Sequence, residues 1–306
     1  MSFLERLFFW QSQDRLPDGL ERAEKKASLD EYVTSFPNHQ NAINCLPGWN
    51  QAFPSELGLN AGQQHLYADP RVLWALEQMG IVEGKRVLEI GPLEAGHTYL
   101  IDRHHPATLH AIEANKLSFL RCLVVKEILK LQHAEFFLGD AQLWLEQTDH
   151  AYDLILASGV LYHMQEPLRL LQAMGARSNN LFLWTHYADD EAMPPGDPRR
   201  GAFVGDPEVQ LFEHHPVTMH RRSYLGAWKN KAFCGGMHDL HRWVERRDIL
   251  KVLELMGFDD IRIGLDEPDH PYGPAFSLFA RRSIPALTPA SERHALREDH
   301  LKSPDR

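Results

Sequence analysis

From Arg86 onward the chain alternates short, strand-like apolar runs with segments of helix length, the pattern of a parallel sheet joined by helical crossovers. Strands are expected at 86–91 (RVLEIG), 108–113 (TLHAIE), 134–140 (AEFFLGD), 152–158 (YDLILAS) and 180–186 (NLFLWTH). A helix at 248–257 (DILKVLELMG), a strand at 259–265 and a last strand at 275–281 follow. The crossover after the second strand shows the helical period: Leu117, Leu120, Val124, Ile128 and Leu131 recur at helical spacing, with Lys126, Glu127 and Lys130 elsewhere. The next crossover opens with Glu166-Pro167, a favourable first turn. The expected fold is α/β, a Rossmann-like doubly wound sheet.

At 306 residues there is room for that domain and a smaller annex. Residues 1–80, with a helix around Pro70 to Met79, read as an N-terminal helical cap, and 81–282 as the Rossmann-like domain. After residue 186 the rhythm breaks into about fifty residues rich in Pro, Gly, His and Arg. A structureless loop of that length inside a compact domain is uncommon, so 187–240 is read as an inserted lid or recognition segment. The tail, 283–306, is polar and charged, a composition compatible with disorder.

A formal charge of −10 argues against a surface that clings as a whole to polyanions, while leaving room for a local basic patch. Cys45, Cys122 and Cys234 are three and far apart, which suggests neither a disulfide framework nor a zinc ribbon. No apolar run approaches the roughly 18 residues of a membrane span, and no secretory signal stands at the start, so a cytoplasmic location is expected. Phe3, Leu4, Leu7, Phe8 and Trp10 share one helical face, which would pack on the domain itself, on a partner or on a membrane surface.

The turn after the first strand reads Glu89-Ile-Gly91-Pro-Leu-Glu-Ala-Gly96-His-Thr. A dinucleotide fingerprint needs a second glycine where Leu93 stands, so that backbone can approach a pyrophosphate. Glu89 and Glu94 would repel phosphates but suit a cofactor carrying an ammonium and a sulfonium, as S-adenosylmethionine (SAM) does. Glu113, ending the second strand, can accept both ribose hydroxyls, and Asp140, after the third, can take the adenine amino hydrogen. Three acids ending three successive strands converge where doubly wound sheets bind ligands. Any one of them alone would as readily be a helix cap.

With "VLEIGPLEAGHT" in the place of the first motif, residues 60–281 resemble class I SAM-dependent methyltransferases. The resemblance implies a seven-stranded sheet with an antiparallel last strand. A narrower likeness, through "SGVLYHMQEPLRLL" at 158–171 and "DPRVLWAL" at 69–76, is to the tRNA wobble-uridine carboxymethyltransferases and their relatives of unknown substrate. It implies cofactor contacts at Gly91, Glu113, Asn115, Asp140, Ala141, Ser158 and Tyr162. That group holds a carboxylated cofactor with upstream lysines, and here none occurs between Lys26 and Lys85, which favours SAM and simple methyl transfer. Leu93 and Ala95 stand where many members have glycine.

Methyl transfer from a sulfonium is an in-line displacement governed by positioning, with a base where the acceptor is protonated. His163, near the carboxyl end of the fourth strand, is the first candidate for that base, against a structural role in the helix that follows. Tyr162 is a candidate wall of the acceptor pocket, with His186 and Tyr187 as second-choice contacts and His97 placed to touch cofactor or acceptor. Glu89, Gly91, Gly96, Glu113, Asn115, Asp140, Ala141 and Ser158 complete the cofactor side. His238 and His241 would face one side if helical, and "EHHPVTMH" adds His214, His215 and His220, but no metal-ligand motif is present and no metal is assigned.

Arg221, Arg222, Lys229 and Lys231, followed by Arg242, Arg246 and Arg247, interleave with Tyr224, Trp228 and Phe233. They admit three readings: a clamp for an acidic small acceptor, an RNA-binding stripe, or charge balance. The favoured function is methyl transfer from SAM, with S-adenosylhomocysteine (SAH) as product, to a small molecule. A tRNA-modifying transferase and a non-catalytic SAM-binding regulatory module are the alternatives. Neither the acceptor nor the oligomeric state is legible in the sequence.

Overall fold

The computed structural model describes residues 29, 31–230 and 232–284. The amphipathic opening segment, Lys26, Lys231 and the tail beyond Ile284 lie outside them. Five strands alternate with helices: β1 (Arg86–Ile90), β2 (Thr108–Glu113), β3 (Ala134–Leu138), β4 (Leu154–Ser158) and β5 (Asn180–His186). The helices in order are α1 (His39–Asn44), α2 (Pro70–Met79), α3 (Gly96–Asp102), α4 (Lys116–Leu129), α5 (Ala141–Gln147), α6 (Pro167–Gly175) and α7 (Arg246–Leu255). After β5 come β6 (Glu208–Phe212), β7 (His215–Arg222) and β8 (His241–Val244), and after α7 come β9 (Asp260–Glu267) and β10 (Ala275–Arg281).

The main sheet has seven strands in the order β3-β2-β1-β4-β5-β10-β9. Its first five strands run parallel, and β10 is antiparallel to both β5 and β9. The chain therefore has the Rossmann-like, doubly wound α/β fold expected from the alternation of its segments, with the antiparallel last strand that the resemblance implied. The central strands are apolar on both faces because both are covered. Leu88, Ile90, Ile155 and Leu183 face one core with Leu168 and Leu171 of α6 and Ile249 and Val252 of α7. Val87, Leu109, Leu154, Leu156 and Phe182 face the other, with Val72 and Leu76 of α2 and Val125 and Ile128 of α4.

The broken rhythm after residue 186 conceals a three-stranded antiparallel sheet in the order β6-β7-β8. A two-residue turn, Glu213-His214, joins β6 to β7, with Glu213 in the left-handed region at φ 54°. Val217 and Met219 of β7 are buried in the core shared with α6 and α7. Val209 and Leu211 of β6 are 65% and 68% exposed, so this sheet carries its apolar residues on only part of its surface. Its return to the main domain is fixed by Ala188, whose N–H donates to the Val244 carbonyl.

The segment before α2 is mostly irregular and is anchored by one buried carboxylate. Glu94, fully buried, accepts from the backbone N–H groups of Asn50 and Gln51 and from Arg121 Nη1 at 3.0 Å. Gly96, the first residue of α3, lies against this segment: a Cβ there would meet Gln51 Oε1 at 2.2 Å and Leu66 Cβ at 3.0 Å. Glu94 and Gly96, read from the sequence as parts of a cofactor turn, thus hold the N-terminal segment onto that turn.

Candidate functional site

The turn leaving β1 adopts a glycine-type path without the full set of glycines. Gly91 has φ 68°, and Leu93 and Ala95 also lie in the left-handed region at 55° and 59°. Each costs an L-residue roughly 1 kcal/mol or more, so the surroundings must hold them there. The Leu93 N–H donates to Glu113 Oε2 at 3.0 Å, and the Ala95 N–H donates to the Pro92 carbonyl. A Cβ at Gly91 would also be tight, 3.2 Å from Val160 Cγ2, adding to the cost of its positive φ.

The three strand-end acids converge on this turn in different states. Glu113 accepts from Leu93 through one oxygen and from Asn115 through the other, at 2.8 Å, and burial pushes its carboxyl pKa up. Each oxygen keeps a second acceptor position. Asp140 caps α5 by accepting from the Gln142 N–H at 2.8 Å through Oδ1, with Ala141 as the first helical residue. Asn115 likewise caps α4, accepting from Leu117 and Ser118. The Asp140 cap was anticipated as the plain alternative for a strand-end acid, and capping by Oδ1 leaves Asp140 Oδ2 as an acceptor.

Glu89 is the least satisfied group in the turn. Its Oε2 accepts from Thr98 Oγ1 at 2.5 Å, while Oε1 is shut off from solvent and has no hydrogen-bond partner. Burial raises its pKa to about 7, opposed by the nearby His97 and by the Thr98 hydrogen bond. His97 does not reach toward a ligand: its Nε2 donates to Asp69 at 2.9 Å, and its Nδ1 is 4.0 Å from Glu89 Oε1. Asp69, the N-cap of α2, is buried and also pairs with Arg71. Burial would raise the Asp69 pKa, but His97 and Arg71 override it and hold the carboxyl well below its usual range. The DPR motif, quoted above only as a likeness, therefore locks α2 against the cofactor turn. Arg71 continues from there to lie 4.3 Å over the Trp184 ring.

Beyond the turn, β4, β5 and the inserted sheet enclose a cluster of rings. β4 ends at Ser158, which pairs with Trp184 of β5, and Gly159 takes φ 80°. A tight turn, Leu161–His163, follows. The Tyr162 ring lies 4.0 Å from His163, 4.7 Å from His186, 5.9 Å from Trp184 and 6.1 Å from Trp243. His186 stacks on Trp243 at 5.0 Å and an interplanar angle of 5°. Tyr224 stacks on His241 at 4.2 Å.

The hydrogen bonds assign different tautomers to the two candidate histidines. Tyr224 Oη lies 2.6 Å from His163 Nδ1 and accepts from the Gly236 N–H at 2.7 Å. With the Gly236 N–H on one lone pair of the hydroxyl, we assign the tyrosine proton to His163 Nδ1 and the imidazole proton to Nε2. In that assignment His163 presents an Nε2–H donor. His186 Nδ1 lies 2.9 Å from the Gly273 carbonyl and 3.3 Å from that of Pro274, so it carries the proton and Nε2 is the acceptor. Burial, reinforced by neighbouring histidines and Arg222, pushes the His163 pKa far down, and burial and His270 lower His186 to about 3. Both rings are neutral at physiological pH. Burial also raises the Tyr162 hydroxyl, keeping it protonated.

Other sequence candidates lie elsewhere. Tyr187, the neighbour of His186, points to the opposite side of β5 and packs edge-on against Phe276 at 5.3 Å, as core. His238 and His241 do not share a helix: His238 is in a bend and His241 opens β8. His215 pairs with Asp248 at 3.0 Å and His220 lies 3.7 Å from Glu245. Among the described residues, no three His, Cys, Asp or Glu side chains gather as a metal site. A depression of about 530 Å³ lined by Gln165, Glu208, Gln210 and Arg242 has no part in the ring cluster. The contributions of Tyr224, Trp243 and Asp69 were not readable from spacing, since two come from the insertion and one from the helix preceding the sheet.

The turn side of the crevice offers acceptors: Glu89 Oε1, the second lone pairs of Glu113, and Asp140. This set fits a nucleoside joined to a cationic tail and disfavours a pyrophosphate. No family model matches the sequence, and no curated protein matches it significantly. Among solved structures, the N-terminal domain of EvdMO1 with SAH bound matches at TM-score 0.59 and 21% identity, over 80% of this chain and 95% of that one. The same domain in the presence of SAH and D-fucose matches at TM-score 0.59 and 22% identity, over 79% and 95%. Whole EvdMO1 matches at TM-score 0.50 and 19% identity, over 79% of this chain and 46% of that one. At these identities the likeness is one of fold.

Proposed function

We propose that this chain is a SAM-dependent methyltransferase acting on a small molecule. The observation that carries the reading is the buried, unpartnered Oε1 of Glu89, close to Glu113, at the end of the first of three successive strands that close on Glu89, Glu113 and Asp140. Glu89 would take the cofactor ammonium, Glu113 the ribose hydroxyls and Asp140 the adenine amino group, with Gly91 and Ser158 at the backbone approaches. SAM supplies an electrophilic methyl group on a sulfonium, whose departure as a neutral thioether needs no proton.

The protein's own contribution is positioning and proton handling. His186, oriented by two carbonyls, offers Nε2 to an acceptor O–H or N–H, while His163 offers Nε2–H and Tyr162 walls the pocket. On this reading His186→Gln lowers kcat by about 10²-fold or more with SAH affinity unchanged, whereas His163→Ala acts mainly on KM. Equal kcat losses in the two variants would count against the division of roles.

The inserted cations favour a small acceptor over RNA. Arg221 and Arg242 both pair with Glu208, Arg246 with Asp266, and Arg247 with Glu245, so they form no open basic stripe. The direct test is to incubate the full chain with methyl-labelled SAM and either fractionated small metabolites or cellular tRNA. SAH formation with a small-molecule fraction is expected. Labelling of tRNA alone would favour the RNA-modifying reading, and tight SAH binding without turnover in any pool would favour the regulatory module.

Glu89 also predicts the pH response. Its native pKa of about 7 is above the ordinary 4.5, so its contribution to the stability of the cofactor-free protein is full below about 4.5 and is lost as pH rises through about 7. Binding an ammonium requires the carboxylate, so SAH affinity should rise, by up to about tenfold per pH unit, as pH climbs toward 7 and then level off. Glu89→Gln should weaken binding and flatten the profile. A wild-type affinity independent of pH between about 5.5 and 8 contradicts this assignment.

A further inference from the structure

Resting on the acceptor pocket proposed above, we infer that the methyl acceptor is an acid whose oxyanion, a carboxylate or a phosphate, docks on Arg222. Arg222 is the last residue of β7, and its backbone is flanked by Phe203 on one side and His241 on the other. This fixes the guanidinium over the ring cluster, with its central carbon 3.9 Å from the Trp243 ring centroid and 5.4 Å from that of Phe203. A guanidinium stacked on an indole keeps its edge free for in-plane hydrogen bonds.

That edge lacks a counter-charge. Among the described residues no carboxylate pairs with Arg222, whereas Arg199, Arg200, Arg221, Arg242 and Arg246 each have one. Its Nε is shut from solvent and has no hydrogen-bond partner. Burial lowers the Arg222 pKa to about 10, with only the tyrosines Tyr224 and Tyr162 opposing, so the group remains a cation at neutral pH. A desolvated charge without a partner is costly, and such a group persists where a ligand supplies the partner.

Two further buried donors stand in the cluster. The indole N–H groups of Trp184 and Trp243 are also buried without acceptors. The charged side chains acting on His163, His186 and Tyr162 are Arg222 and Arg71, while Asp239 acts on Tyr224 and His241. The crevice is therefore divided. The turn side, around Glu89, carries a buried unsatisfied acceptor, and the ring side carries buried unsatisfied indole donors and, in Arg222, a cation without a carboxylate, beside the His186 Nε2 acceptor. A cationic cofactor suits the first and an anionic acceptor the second, which also keeps the two from exchanging places. Arg222 touches no reacting atom in this account and is a specificity residue.

The test uses the full-length protein saturated with SAH, titrated with benzoate, phenyl phosphate and the neutral benzamide by calorimetry. Wild type should bind benzoate or phenyl phosphate better than benzamide, and whichever binds better names the oxyanion. Arg222→Met should weaken that anion about tenfold or more, Arg222→Lys should restore only part of it, and benzamide should be unaffected. SAH affinity of both variants should stay at the wild-type value, and the urea midpoint of Arg222→Met should not fall. Anion binding that is absent, or unchanged in Arg222→Met, overturns the inference while leaving the methyltransferase reading intact. Loss of SAH affinity in Arg222→Met would assign the arginine to the cofactor and overturn it as well. Failure of the wild type to bind SAH would instead remove the reading on which it rests.

Discussion

Replacing Glu94 with alanine should destabilise the protein by roughly 3–5 kcal/mol, the range for breaking a buried, hydrogen-bonded ion pair by deleting one partner. Glu94 and Arg121 are 0% and 1% exposed, and Arg121, which also donates to the Pro47 carbonyl, would be left without its carboxylate. The Asn50 and Gln51 amides would lose their acceptor at the same time. Urea unfolding reads the free-energy loss, and hydrogen exchange at residues 50 and 51 shows whether the N-terminal segment detaches first. A loss below about 1 kcal/mol would mean that Glu94 does not anchor this segment.

The second large effect concerns ligand affinity. Glu113→Gln removes a carboxylate that holds the Leu93 and Asn115 amides and, on our reading, both ribose hydroxyls. An amide has one acceptor oxygen, so one backbone N–H would face an NH₂ group and the turn would relax from its left-handed path. Hydrogen bonds to a charged group contribute about 1.5–3 kcal/mol each, so losing two predicts at least about 100-fold weaker SAH binding. Calorimetry on the variant checks this. A change under about fivefold would show that Glu113 only shapes the turn.

The parallel half of the fold was legible because β1, β4 and β5 are buried on both faces and must be written in apolar residues with helix-length spacers. The strand-end acids were legible for the same reason: a carboxylate closing such a run is conspicuous. Glu94 misled because it lies in the same turn, yet the direction of its side chain depends on Arg121, 27 residues away, which no local pattern records. The small sheet was hidden by composition. β7 reads His-Pro-Val-Thr-Met-His-Arg-Arg, where Pro216 demotes a strand, and β6 leaves Val209 and Leu211 exposed. The alternation of Val217 and Met219 was the signal available. The division of roles we propose for His163 and His186 was not legible in the sequence, because the ring partners lie far along the chain, Tyr224 for one and the Gly273 carbonyl for the other.

The missing glycines illustrate a further limit of motif reading. Leu93 and Ala95 look like departures from a glycine-rich turn, but the backbone follows the same left-handed path, held by Glu113 and Pro92. The acid therefore both supports the turn and faces the crevice.

The central claim is that the crevice at the ends of β1, β2 and β3 is built for a cationic nucleoside cofactor. Isothermal titration of the full chain with SAH, repeated with NAD, tests it most directly. The account predicts one SAH per chain, affinity lost in Glu113→Gln and weakened in Glu89→Gln, and no heat from NAD at the same concentrations. Binding of NAD in preference to SAH, or SAH binding indifferent to both glutamates, would contradict it.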